Sequence, residues 1–159
     1  MKNKQRGAMS AEMLGYLSVV IALMIFVGSQ SPKIWDKARE IHFGWQTSTV
    51  VQGLNSWKRG RTTFAGATIA KACATGDVPS SICGSSNNGK GTNTYGGDWS
   101  VTPNSGSAGL LDVTATIPED GSKIAALADA VAPSTRGDCE EASGCSTIST
   151  TATSITMTF

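Results

Sequence analysis

The hydrophobic and polar positions divide the chain into three zones. Residues 13–27 are apolar or uncharged throughout. A helix over 8–28 would be about 30 Å long at 1.5 Å per residue, enough to cross the hydrocarbon layer of a bilayer. Past residue 33 the pattern becomes amphipathic. Ile34, Ala38, Ile41, Trp45, Ser48, Val51 and Leu54 recur at three- and four-residue spacing, with Lys33, Asp36, Lys37, Arg39 and Glu40 off that stripe. This predicts a second helical stretch to about Trp57 with the stripe as its packing face. Charge pairs of Asp36 with Lys33 or Arg39 offset the like charges four apart. Pro32, which lacks a backbone N–H and disfavours helix at the residue before it, falls between the two stretches. The expectation is one long helix, 8–57, kinked or locally interrupted at Pro32.

The third zone is Gly-, Ser- and Thr-rich. Residues 60–97 read mainly as connection, with a short helix over 64–71 and an Asn/Gly-rich surface loop over 87–97. Three stretches alternate with period two: 98–102, 111–117 and 147–159. Asn104, Ser105, Gly106 and Ser107 would join the first two as a hairpin. Ile148 is on the opposite parity from Ile155, so the last stretch is broken, bulged or begins later. Ile124, Leu127, Ala128 and Val131 mark an amphipathic helix between the second and third stretches, with Asp120 or Ser122 as N-cap and Pro133 past its end. The fold class is therefore α+β: a long N-terminal helix and a small antiparallel sheet of three to four strands with an inserted helix.

Charge and composition narrow the function. Lys+Arg number 13 against 12 Asp+Glu, and without Lys2, Lys4 and Arg6 the balance is 10 to 12, a formal −2. Lys58, Arg59 and Arg61 form the one later basic cluster, read as a solvated, membrane-proximal or subunit-contact patch rather than a phosphate or nucleic-acid site. His42 is the single histidine, and no His-containing catalytic arrangement, phosphate loop or paired catalytic carboxylates emerge, so neither an enzyme nor a cofactor is expected. Four cysteines, all beyond residue 70, suit an oxidising compartment. Their spacings match no zinc knuckle, so no metal is expected. Of the three possible pairings, the local ones, Cys73–Cys83 and Cys139–Cys145, are expected, each contributing roughly 2–3 kcal/mol on a loop-entropy argument.

The N-terminus decides between an ordinary anchor and something more specific. A secretory leader carries its own apolar core before a small-residue cut. Here the candidate cut, after Gly7, precedes the apolar core, so the hydrophobic segment is expected to survive processing. The basic leader puts the N-terminus on the cytoplasmic side. Glu12 is a carboxylate at the mouth of the apolar segment, a placement that costs roughly 2.5–3.5 kcal/mol near a bilayer centre and less near an end, and so calls for a partner.

Gly7, Ala8, Glu12 at the fifth position after the cut, and the uninterrupted apolar run resemble the N-terminal signature of type IV pilins and pseudopilins. Ala8 stands where many members carry Phe or Met, and Ser10-Ala11 where Thr-Leu or Ser-Leu is usual. The resemblance implies cleavage between Gly7 and Ala8 by a prepilin peptidase, N-methylation of Ala8, and an assembly role for Glu12 against the amino group of a neighbouring subunit. It implies that the second half of the long helix packs on the sheet. It makes the zone before the first strand a candidate for subunit contacts, although a passive linker fits equally. A helix between strands, and the tract Gly96, Gly97 to Val101, look more like type IVb pilins of the bundle-forming and conjugative thin-pilus kinds. Those more often carry one long-range disulfide, from which local pairing departs.

The domains expected on this basis are a 1–7 leader, an 8–57 helix (8–28 in the membrane or filament core) and a 58–159 head. The implied partners are other copies of the chain in a helical homopolymer, the peptidase, an inner-membrane platform protein and an assembly ATPase, and the membrane, with no nucleic acid. The implied location is the bacterial inner membrane, then an extracellular pilus. The implied roles are adhesion, aggregation or conjugation. The alternatives are a pseudopilin or minor pilin of a secretion or DNA-uptake machine, and an uncleaved single-span anchored binding domain.

Overall fold

The computed structural model describes the backbone of residues 11–159 and their side chains except those of 11, 12, 30 and 31. In chain order the elements are α1 (Ala11–Lys58), α2 (Ile69–Ala74), α3 (Ser80–Cys83), β1 (Trp99–Pro103), β2 (Leu111–Thr116), α4 (Ile124–Val131), β3 (Ile148–Thr150) and β4 (Ser154–Thr158). The chain divides into two compact units, Met1–Ala38 and Arg39–Phe159, so the second half of α1 belongs with the sheet. The fold is α+β, with the long N-terminal helix and small antiparallel sheet read from the sequence. Helical structure carries through Pro32.

In the second unit one antiparallel sheet has the strand order β1-β2-β4-β3. The β1–β2 hairpin turns on Asn104, whose side-chain carbonyl accepts from the N–H groups of Gly106 (2.9 Å) and Ser107 (3.1 Å). Such a side-chain-to-backbone turn is the chemistry that places Asn there. The parity clash between Ile148 and Ile155 resolves as a second hairpin. β3 pairs antiparallel with β4, Ile148 opposite Met157 and Thr150 opposite Ile155, so half-buried Ile148 joins buried Met157 and Ile155 on the core side while Thr150 at the end of β3 stays exposed. Ser and Thr fill the other face, where the Thr114 and Thr156 hydroxyls meet at 2.8 Å.

The inner face packs Trp99, Val101, Leu111, Val113, Ala115, Ile155 and Met157 against α1 residues Phe43, Val50 and Leu54, and α4 adds Ile124, Leu127, Ala128 and Val131. Each large buried side chain contributes about 1.5–3 kcal/mol. Phe43 stacks on Trp99 at 5.4 Å between centroids and meets Tyr95 edge-on at 6.0 Å. Phe43, Thr47, Val50, Leu54 and Trp57 are the buried line of α1, while Ile34, Ile41 and Trp45 of the expected packing stripe are exposed. Residues 43 and 45 lie about 200° apart around a helix at 100° per residue, on opposite faces. The second half of α1 is apolar on both sides, and the shape of the sheet selects one of them. Gly53 lets α1 approach residues 77 and 78, since a Cβ there would come within 2.5 Å of the Val78 side chain.

Other expectations shift. The short helix expected over 64–71 starts later, at Ile69, where Thr68 caps it by accepting from the Lys71 N–H (3.3 Å). Residues 64–67 form a turn closed by Ala67 N–H to the Phe64 carbonyl (2.8 Å). Neither Asp120 nor Ser122 caps α4. A 3-10 turn, Gly121–Lys123, precedes it, Lys123 is the N-cap residue, and the Asp120 carboxylate instead lies 3.9 Å from the Arg39 guanidinium. Pro133 follows α4 inside a second such turn, Ala132–Ser134. β1 begins at Trp99, whose N–H donates outward to the Gly89 carbonyl (2.7 Å), and it ends at Pro103.

Candidate assembly surfaces

Gly7 and Ala8 lie outside the described residues, and so does the side chain of Glu12, whose backbone is in α1. Behind them every residue of 13–29 is exposed. The most apolar 18-residue window there has a mean hydropathy of 1.9, none of it buried within the chain, and the helix is long and apolar enough to cross a membrane. Its serine hydroxyls are already satisfied by the helix itself: Ser18 donates to the Gly15 carbonyl (2.8 Å) and Ser29 to that of Phe26 (2.7 Å). Local bonds of this kind make a serine tolerable where water is absent. Pro32 removes the N–H that would have bonded to the Gly28 carbonyl.

In the second unit, Ile41 is 65% exposed and Trp45 57% exposed on the side of α1 away from the sheet. His42 stacks on Trp45 at 5.8 Å, and its Nδ1 is 2.7 Å from the Thr94 hydroxyl. That hydroxyl donates to the Gln46 side-chain carbonyl (2.8 Å), so the bond from the ring is a donation by Nδ1–H. His42 thus ties a helix to a loop.

The loop it holds is the segment expected to be plain surface, and this expectation is corrected. Asn93 and Tyr95 are buried. The Asn93 side-chain carbonyl accepts from the N–H groups of Tyr95 and Gly97 (2.9 Å each), and its amide donates to the Thr116 carbonyl (2.7 Å). From the helix side, Gln46 donates to the Thr92 carbonyl (3.2 Å) and accepts from the Thr94 N–H (2.9 Å). Gly97 passes so close to β2 that a Cβ would sit 1.9 Å from the Thr116 carbonyl oxygen. Burial raises the Tyr95 phenol above its usual range, with the Glu40 carboxylate adding to the effect. Gln46 and Asn93, both buried, lie off the apolar pattern of the sequence, which carries no signal for either.

The basic cluster lies against neighbouring side chains while Arg59 and Arg61 remain exposed. Lys58 Nζ lies 4.4 Å from the centroid of the Phe64 ring, the Arg61 guanidinium 4.6 Å from that of Trp57, and Arg59 pairs with Asp77 at 3.4 Å. Cations held over rings and a carboxylate are poorly placed to form a free phosphate site. Cys73 is bonded to Cys83 and Cys139 to Cys145. Among the described residues no group of three His, Cys, Asp or Glu side chains is arranged to hold a metal ion.

Residues 45–123 match the family model described as PilS N terminal, a pilin-related family. The matched segment runs from the second half of α1 through the clamped loop, β1 and β2 to the start of α4. No curated protein and no solved structure matches the chain.

Proposed function

We propose that this chain is a structural subunit of a type IV pilus, of the type IVb kind, that polymerises through α1. The observation carrying the reading is an exposed, membrane-length apolar helix leading directly into a segment that matches a pilin-related family. On this reading the apolar stretch holds the subunit in the inner membrane before assembly and packs among its counterparts afterwards. A prepilin peptidase cuts between Gly7 and Ala8 and methylates Ala8. A platform protein and an assembly ATPase extract the subunit, and the product is an extracellular filament serving adhesion, aggregation or conjugation. Insertion of α4 between β2 and β3 supports the type IVb branch. The role is structural, with Glu12 acting in assembly and no residue in catalysis.

Glu12 supplies the test. In a bundle of low dielectric constant, a carboxylate paired with the amino group of a neighbouring Ala8 is neutralised, whereas a subunit out of register leaves it unpaired. Glu12→Val should insert into the membrane normally yet fail to enter filaments. Filaments of wild-type yield from that variant would sink the assembly role. Mass spectrometry of the wild-type N-terminus should find methylated Ala8, and an intact Met1 would instead favour an uncleaved anchor.

A further inference from the structure

The two disulfides close loops of similar size, ten and six residues apart in sequence. Loop entropy grows only with the logarithm of length, so their surroundings must distinguish them. Cys73 and Cys83 are both buried and join α2 to α3. Cys83 Sγ lies 3.3 Å from the Val78 carbonyl oxygen. That oxygen can accept a hydrogen bond but cannot donate one, so a thiolate formed there would be desolvated and repelled.

Cys139–Cys145 sits differently. Cys139 is partly exposed and lines a surface depression with Glu140, Glu141, Ser143, Gly144 and Cys145. Cys145 is buried, and its Sγ lies 3.1 Å from the Thr147 hydroxyl. Thr147 Oγ1 is in turn 2.8 Å from Thr135 Oγ1, which donates to the Ala132 carbonyl (2.9 Å). If Thr147 turns its hydrogen to sulfur, the Thr135 hydroxyl can swing to take its place. One sulfur is therefore open to attack, and the other has a hydroxyl relay to receive the charge that leaves.

We propose that Cys139–Cys145 is a reducible latch on the loop over α4, and that Cys73–Cys83 is the permanent staple of the fold. The co-reactant is a dithiol. Its thiolate attacks Cys139 Sγ, the S–S bond breaks, and the electron pair leaves on Cys145 Sγ. The second thiol of the reagent, as thiolate, then attacks the mixed disulfide, closes its own disulfide and releases Cys139. Each cysteine takes up one proton, so the protein gains two electrons and two protons and the reagent loses the same. What the latch holds is the stretch whose Ala142 N–H donates to the Asp129 carboxylate on α4 (2.9 Å) and whose Ala142 side chain packs against the core. The β3–β4 ladder begins beyond the loop, with Ile148 opposite Met157.

The test is graded reduction of the full chain in detergent micelles with dithiothreitol, quenched by alkylation and mapped by peptide mass spectrometry. Cys139 and Cys145 should be alkylated at least about tenfold faster than Cys73 and Cys83, following accessibility and leaving-group stabilisation. At that stage circular dichroism should be unchanged, while hydrogen exchange quickens over 139–147. Thr147→Val should slow reduction of this pair severalfold and leave the Cys73–Cys83 rate alone. Asp129→Asn, which weakens the tie to α4, should hasten it. Simultaneous alkylation of all four cysteines, earlier alkylation of Cys73 and Cys83, or a Thr147→Val protein reduced at the wild-type rate would each overturn the proposal.

Discussion

The two halves of α1 are helical for different reasons. Over 13–29 every residue is exposed, the serine hydroxyls bond back to the helix, and apolar residues surround the axis. Such a segment takes its stability from an apolar solvent, in which each backbone N–H and C=O must be satisfied internally. Over 43–57 one line is buried on the sheet, and Gln46 in that line is fully engaged with a loop. This half depends on tertiary packing. One element thus joins a part defined by its medium to a part defined by its neighbours.

The contrast can be broken from either side. Phe43→Ala removes the ring stacked on Trp99 and should destabilise the second unit by about 3–5 kcal/mol. Thermal unfolding of that variant should shift downward while membrane partition is unaffected. Val20→Asp should do the reverse, opposing insertion by roughly 2.5–3.5 kcal/mol with the unfolding transition of the head unchanged. Carbonate extraction and circular dichroism would read the two effects separately. A variant that moved both would show the halves to be energetically coupled. Gln46→Ala should have the smallest effect, about 1–3 kcal/mol for leaving the Thr94 N–H and Thr92 carbonyl without their partner. Hydrogen exchange should quicken over 92–97 before the sheet loosens, and uniform quickening would mean that the loop and sheet open together.

The sequence made the elements legible more readily than their facing. Apolar alternation in 111–117 and the Asn-Ser-Gly-Ser turn specified the first hairpin, and the parity conflict of Ile148 with Ile155 correctly signalled a break. The packing face of α1 was legible at Leu54 but not further back, because Ile34, Ile41 and Trp45 are as hydrophobic as Phe43 and Val50. Periodicity marks an apolar stripe without saying whether the chain, a lipid or another molecule covers it. The loop over 87–97 looked solvated because Asn and Gly are common in turns. There Asn93 acts as an internal substitute for backbone pairing, which composition cannot reveal. Capping failed at Asp120 for a related reason: its carboxylate is directed at Arg39, a long-range partner.

The outer edge of β1 bears on how copies of this chain can meet. The backbones of Trp99, Val101 and Pro103 point away from β2, as the bonds from Thr116 N–H to Asp98 and from Asn104 N–H to Leu110 require. Trp99 has already given its N–H to Gly89, and Pro103 has none to give. A second chain seeking to extend the sheet would find one donor, Val101, where a continuous ladder needs several. Uncontrolled cross-strand aggregation at this rim is therefore suppressed.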